Sequence, residues 1–190
     1  MSYNKVIIFS APSGSGKTTV VKHLLQNLTS QLSFSISACS RAPRHNEVNG
    51  KDYYFLSVED FKKGIENKLF LEWEEVYPNL LYGTLLKEVE RVWSNGKAII
   101  FDVDVKGGIS LKQHFGEKAL SIFVAPPSLG VLEKRLRNRG TESEEDLQKR
   151  IGKAVQEMKY KSNFDKVLVN QNLEKACQEA LEMVQGFLAN

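Results

Sequence analysis

The chain lacks several features that define large classes of protein. It holds 2 cysteines in 190 residues, Cys39 and Cys177. Neither belongs to a CxxC pair or has histidines at metal-ligand spacing, which excludes a disulfide scaffold and a zinc module. Long apolar runs are also missing: residues 6–9 and 98–101 fall far short of the roughly 20 residues a membrane helix needs. The polar start leads into an apolar run too brief for a signal-peptide core. These absences predict a soluble, cytoplasmic protein. There is no GxSxG elbow and no HExxH helix, and the 3 histidines, His23, His45 and His114, are isolated, so nucleophilic and zinc-hydrolase chemistries have no carrier. The formal net charge is only +3, from 26 Lys+Arg against 23 Asp+Glu. A balance so close to neutral argues against nucleic-acid and membrane surfaces.

What is present is ordinary globular material, 42% hydrophobic and 26% charged, enough for one domain with a sizeable core. Apolar runs of strand length recur at residues 6–9, 98–103, 120–124 and 167–169, as strands buried on both faces do. Between them lie segments of helical spacing, such as Val20, Leu24, Leu25 and Leu28, or Ala176, Ala180, Leu181, Val184 and Leu188. Alternation of this kind predicts an α/β fold with a parallel sheet between helices. Residues 34–39 alternate apolar and polar side chains and predict one strand with a single buried face. Ser57 with Asp60, and Ser143 with Asp146, have capping-box spacing, while Asn95-Gly96 reads as a helix stop. Residues 40–90 read as an inserted α+β unit, and residues 127–153, charged and helical with Gly140 as a break, as a flap.

After the first strand come Ala11-Pro12-Ser13-Gly14-Ser15-Gly16-Lys17-Thr18 and a helix, the order of a P-loop. Glycines let backbone N–H groups close around phosphate oxygens, the helix N-terminus adds positive potential, Lys17 reaches the β- and γ-phosphates, and Thr18 ligands Mg²⁺. Ala11 stands where the strict pattern has glycine, and Thr19 stands where a dinucleotide fingerprint needs its third small residue. Six of the seven arginines fall in two groups, Arg41 with Arg44, and Arg135, Arg137, Arg139 and Arg150. Guanidinium forks bind phosphate bidentately, so grouped arginines suit a polyphosphate. Asp102 and Asp104 end a buried strand and, two residues apart, are expected on one side of it, where one supports Mg²⁺ through water and the other faces a second substrate. The missing acid–base machinery fits transfer to a phosphate, which with a second pKa near 6 is already largely anionic at pH 7.

The chain resembles the guanylate kinase family over essentially its full length. The resemblance rests on residues 11–18, on Ser40-Arg41-Ala42-Pro43-Arg44 leading to Gly50-Lys51-Asp52-Tyr53, and on Phe70-Leu71-Glu72-Trp73, Tyr82-Gly83-Thr84, Asp102-Val103-Asp104 and Arg139-Gly140-Thr141. It implies a P-loop nucleoside monophosphate kinase with a parallel five-stranded core (residues 1–36, 91–126 and 154–190), a GMP-binding insertion (37–90) and a helical lid (127–153). The implied reaction is Mg²⁺-assisted phosphorylation of GMP, and of dGMP, by ATP. ATP falls on Ala11, Pro12, Ser13, Gly14, Ser15, Gly16, Lys17, Thr18 and Thr19, with metal at Thr18 and Asp102. The GMP phosphate falls on Arg41, Arg44, Tyr53 and Tyr82, joined by Glu47, and guanine on Ser37, Glu72, Thr84 and Asp104. Lys17, Arg41 and the lid arginines Arg135, Arg139 and Arg150 carry the catalysis. A carboxylate such as Glu72 also suits guanine directly, because it accepts from the adjacent N1–H and N2–H donors, whereas adenine offers an acceptor at N1. A kinase for another nucleotide and a catalytically silent scaffold stay open as alternatives, as does the choice between monomer and homo-oligomer.

Overall fold

A computed structural model of the chain describes residues 4–138 and 144–189. Its central strand, β1 (Val6–Ser10), is buried along its whole length because helices cover both faces. Side chains alternate along a strand. Ile7 and Phe9 therefore pack with Val20 and Leu24 of α1 (Lys17–Asn27) and with Ala176, Ala180 and Val184 of α7 (Leu173–Ala189). Val6 and Ile8 face the other way, onto Val89 and Val92 of α3 (Leu86–Ser94) and Leu111 of α4 (Val105–Phe115). Each such buried side chain contributes roughly 1.5–3 kcal/mol.

The main sheet has the order β2-β7-β1-β8-β9, all parallel, with β2 at Leu32–Phe34, β7 at Ala98–Val103, β8 at Ala119–Ala125 and β9 at Lys166–Val169. β7 and β8 flank β1 on opposite sides, so the chain crosses over between them. A switch of this kind opens a crevice at the carboxyl ends of the strands.

A second sheet, β4-β3-β6-β5, hangs beside that crevice. It comprises β3 (Ala38–Cys39), β4 (Tyr54–Phe55), β5 (Phe70–Tyr77) and β6 (Leu80–Leu85), with α2 (Val58–Glu66) behind it. Its own small core centres on Ala38, Phe61, Leu81 and Leu85, with the rings of Phe61 and Phe70 stacked 4.3 Å apart. The single strand expected over residues 34–39 is two: β2 ends at Phe34 in the main sheet, and β3 begins at Ala38 in the smaller one. The chain changes sheets across residues 35–37, so the buried residues there are Ser35, Ala38 and Cys39, not one alternating face.

Local signals act as their chemistry requires. Ser57 caps α2, its Oγ accepting the Asp60 backbone N–H at 3.0 Å while its hydroxyl donates to the Asp60 carboxylate. Asn95 caps the end of α3, and Gly96 takes φ 68°. The charged flap contains α5 (Leu129–Arg137) and α6 (Glu144–Met158), joined by Leu132, Leu136, Leu147 and Ala154; Gly140 and Ser143 lie outside the described residues. α3 and α6 run without a break through the divisions expected at 90 and 153. Among the described residues no helix is long and apolar enough to cross a membrane.

Candidate active site

β1 delivers the chain to the crevice, where residues 11–16 turn back into α1. Gly14 and Gly16 adopt φ of +87° and +88°, a left-handed backbone that side chains disfavour. A Cβ on Gly16 would also strike the Asn170 amide nitrogen. Among the described residues the only non-glycines with positive φ are Lys68 and Asn79, so Ala11 needs no left-handed backbone and substitutes for glycine without strain. Gly16 offers α1 no side-chain cap and the first turn holds no acid, which leaves the helix N–H groups facing the cleft open to an anion. The Lys17 ammonium lies 2.6 Å from Asp102 Oδ1 and donates to the Val103 carbonyl, and the Thr18 hydroxyl donates to Asp102 Oδ2 at 3.0 Å. One carboxylate thus holds both the lysine and the hydroxyl of the motif.

The opposite wall belongs to the smaller sheet. Arg41 makes a two-pronged pair with Glu47, at 2.5 and 2.7 Å, while its Nε donates to the Tyr82 hydroxyl at 3.3 Å. Its guanidinium sits 5.0 Å from the centroid of the Tyr53 ring, a cation–π distance. Glu47 also accepts the Arg44 backbone N–H at 2.8 Å. Hydrogen bonding from Arg41, then from Arg44, holds the Glu47 carboxyl down at about 2, and the same bond to Glu47 pushes the Arg41 guanidinium above its ordinary value.

Deeper in the cleft the carboxyls crowd together. Glu72, on β5, accepts the hydroxyl of buried Thr84 from the paired strand at 2.7 Å. Burial pushes its carboxyl up to about 7, and the charge of Asp104 adds to the shift. Glu74, two residues along the same face of β5, is likewise raised to about 7, by burial and by Asp104 beside it, although Lys106 lies 3.1 Å away. Gly107 permits this crowding, since a Cβ there would lie 2.9 Å from Glu72 Oε2 and 3.1 Å from Asp104 Oδ1.

The strand that carries Asp102 stops one residue short of Asp104. β7 stops at Val103, and Asp104 turns out of it to cap α4, accepting the Gly107 N–H at 2.7 Å. Its backbone carbonyl accepts the Ser10 hydroxyl at 2.9 Å, which ties the ends of β1 and β7 together. Both aspartates still line the cleft.

The result is a single cleft of about 450 Å³. It gathers residues 11–19, Ser37, Tyr53, Glu72, Tyr82, Asp102, Asp104 and, from α6, Arg150. Arg41, Glu47 and Thr84 stand one layer back, supporting Tyr53, Tyr82 and Glu72. Arg44 is exposed, and Arg139 lies outside the described residues. Arg135 donates to the Asn170 backbone carbonyl at 2.9 Å, while the Asn170 side chain donates to the Ser15 carbonyl at 2.7 Å. Sequence reasoning missed Glu74, Lys153 and Glu157 on the cleft wall and Asn170 behind the P-loop. Lys153 and Glu157 follow Arg150 at intervals of three and four, the spacing of one helix face, which was the available signal.

The arrangement has relatives. The sequence profile of the family described as guanylate kinase matches residues 3–186. The curated guanylate kinase of Bacteroides thetaiotaomicron is 52% identical over 185 residues, covering 97% of this chain and 90% of its own length. That of Salinibacter ruber is 44% identical over 190 residues, all of both chains. Among solved structures, the crystal structure of guanylate kinase from Anaplasma phagocytophilum superposes with a TM-score of 0.78 at 27% identity, covering 100% of this chain and 89% of that one. With profile, relatives and architecture all agreeing, this chain belongs to the guanylate kinase family.

Proposed function

We propose that the reaction of this family, phosphorylation of GMP to GDP by ATP, runs across the cleft, with ATP on the P-loop and GMP against the smaller sheet. The observation that carries this reading is that one cavity is walled by the P-loop on one side and by Tyr53, Glu72 and Tyr82 on the other. Backbone N–H groups around Gly14 and Gly16 cradle the ATP phosphates, and Lys17 leaves Asp102 to meet the β- and γ-oxygens. Arg41, Arg44, Tyr53 and Tyr82 hold the GMP phosphate, Glu47 keeping Arg41 in place. Ser37, Glu72, Thr84 and Asp104 surround guanine, and dGMP fits the same contacts. Arg135, Arg139 and Arg150 of the lid (127–153) neutralise the transferring group, while the insertion (37–90) closes on the core (1–36, 91–126 and 154–190) and excludes water. As the acceptor phosphate oxygen bonds to the γ-phosphorus, the bond from that phosphorus to the bridging oxygen breaks and ADP leaves. Because the acceptor oxygen is already anionic, no side chain has to remove a proton.

The Thr18 hydroxyl and Asp102 carboxylate, 3.0 Å apart at the cleft, are the hard oxygen donors that Mg²⁺ prefers. Among the described residues no cluster of three or more His, Cys, Asp or Glu could enclose a metal, so water and substrate oxygens would supply the remaining contacts. When bound, Mg²⁺ neutralises charge between the β- and γ-phosphates. Cys39 and Cys177 are buried free thiols, which supports a reducing, cytoplasmic setting.

The test is a panel of GMP, dGMP, AMP, CMP, UMP and dTMP assayed with ATP and Mg²⁺. GMP and dGMP are expected to be turned over and the others rejected; a preference for AMP would overturn the acceptor assignment.

A further inference from the structure

Glu88, on α3, is a carboxylate with no part in the chemistry above, and it is fully buried at 0% exposure. A buried charge is costly unless donors surround it. Glu88 has them: the Ile36 backbone N–H at 2.9 Å, the Tyr54 hydroxyl at 2.7 Å, and Arg91 through Nε at 2.9 Å and Nη2 at 2.8 Å. Arg91 Nη2 also donates to the Phe34 carbonyl at 3.0 Å. Burial alone would raise the Glu88 carboxyl, yet these bonds, with Arg91 foremost, hold it below its ordinary value.

A buried ion pair adds little stability over apolar packing; its best-attested use is to fix the relative placement of segments. The segments joined here are informative. Phe34 ends β2 and Ile36 lies where the chain leaves the main sheet, one residue before Ser37. Tyr54 is the neighbour of Tyr53, and neighbouring strand residues point to opposite faces. Tyr54 therefore turns inward to Glu88 while Tyr53 lines the cleft. Both cleft residues are thus indexed to the main sheet through their neighbours.

We infer that Glu88 is a positioning residue for the acceptor site, holding Ser37 and Tyr53 in place through Ile36 and Tyr54, with Arg91 as its counter-charge. The inference rests on the smaller sheet being the GMP site. Its test uses the full chain with Glu88→Gln and Tyr54→Phe, measuring KM for GMP and for ATP, kcat and Tm. Glu88→Gln keeps volume and an acceptor but loses the charge, and KM for GMP is expected to rise about tenfold. Tyr54→Phe keeps the ring and removes one bond to a charged group, and a rise of about threefold is expected. KM for ATP and kcat should stay within about twofold in both, because the P-loop is untouched. A lowered Tm with unchanged KM for GMP, or an equal rise in both KM values, overturns the positioning role. Should Glu88→Gln fail to fold, Tyr54→Phe decides alone. A wild-type chain that rejects GMP overturns the acceptor assignment itself, whereas GMP turnover beside variants of unchanged KM overturns only the role of Glu88.

Discussion

At the end of the cleft proposed for the phosphoryl donor, the consecutive residues 11–19 form the wall, following one strand of the main sheet and opening one helix against it. At the acceptor end Ser37, Tyr53, Glu72 and Tyr82 come from separate stretches that only the smaller sheet brings together. The electrostatics differ as well. Lys17 rests on Asp102 at 2.6 Å, a charge already matched, whereas Glu72 and Glu74 sit at about 7 because burial and Asp104 resist their ionisation. The donor end is local and pre-neutralised. The acceptor end stores buried acid that is relieved only by a proton or by a ligand bringing N–H donors. Sensitivity to pH and to distant substitutions should therefore concentrate at the acceptor end.

The largest effect expected belongs to the donor end. Lys17→Ala removes the ammonium that the proposed mechanism brings onto the β- and γ-oxygens and should lower kcat by about a thousandfold. The fold should persist, since Asp102 keeps the Thr18 hydroxyl. Circular dichroism and Tm check the second point, steady-state kinetics the first. Next comes Arg41→Ala, which frees Glu47 and removes the cation over Tyr53. It should cost about a hundredfold in kcat/KM for GMP, with KM for ATP little changed. A rise in both KM values would dissolve the division between the two ends.

The two ends differ in legibility for the same reason that they differ in chemistry. The P-loop could be read directly because its residues are contiguous and its glycines mark positive φ at Gly14 and Gly16. β1, β7 and β8 are equally plain, being apolar runs in the middle of the sheet, whereas β9, read as buried on both faces, lies at the sheet edge and buries only Leu168. Asp104 reads as the last residue of a strand, but it stands one residue past the end of β7, where the chain turns to cap α4. Glu74 reads as an ordinary surface residue of an alternating strand until α4 packs against it. Arg91, the arginine outside both groups, pairs with Glu88 at i,i+3, a spacing that usually marks a solvated helix pair. Only the approach of Ile36 and Tyr54 from elsewhere in the chain turns it into a buried network.

A smaller effect, of about tenfold, tests the stored acid at the acceptor end. The folded Glu72 carboxyl titrates near 7, above its ordinary value of 4.5, because burial disfavours its charge. The folded state therefore binds this proton more tightly than the unfolded chain does. The contribution of Glu72 to stability is full below about pH 4.5 and is lost as pH rises through about 7. On the proposed assignment of Glu72 to guanine, binding runs the other way, since the ionised form would accept N1–H and N2–H, so KM for GMP should rise as pH falls below about 7. The GMP phosphate itself titrates near 6, which makes Glu72→Gln the necessary control. In that variant KM for GMP should be about tenfold higher, the fall in Tm between pH 5 and 7 should become shallower, and the remaining pH dependence should be that of the phosphate. A Tm profile identical to wild type would show that Glu72 carries no stored acid.

The smallest effect, at Arg137, is read against Arg150 from the same stretch of sequence. Arg150 lines the cleft with Lys153 and Glu157, whereas Arg137 bonds Glu133 at 3.0 Å and Glu144 at 2.8 and 2.9 Å on the exposed side of α5 and α6. Exposed ion pairs gain little, because water and salt screen them and two long side chains must be ordered to form them. Arg137→Ala should accordingly change kcat and both KM values by less than about twofold, while Arg150→Ala lowers kcat by about a hundredfold as a lost neutralising charge. Measured side by side, the two variants ask whether grouping in sequence or position on the cleft wall makes an arginine catalytic. Equal losses would mean that the Arg137 pairs hold the lid in its working orientation, extending the sensitivity assigned here to the acceptor end into the lid as well.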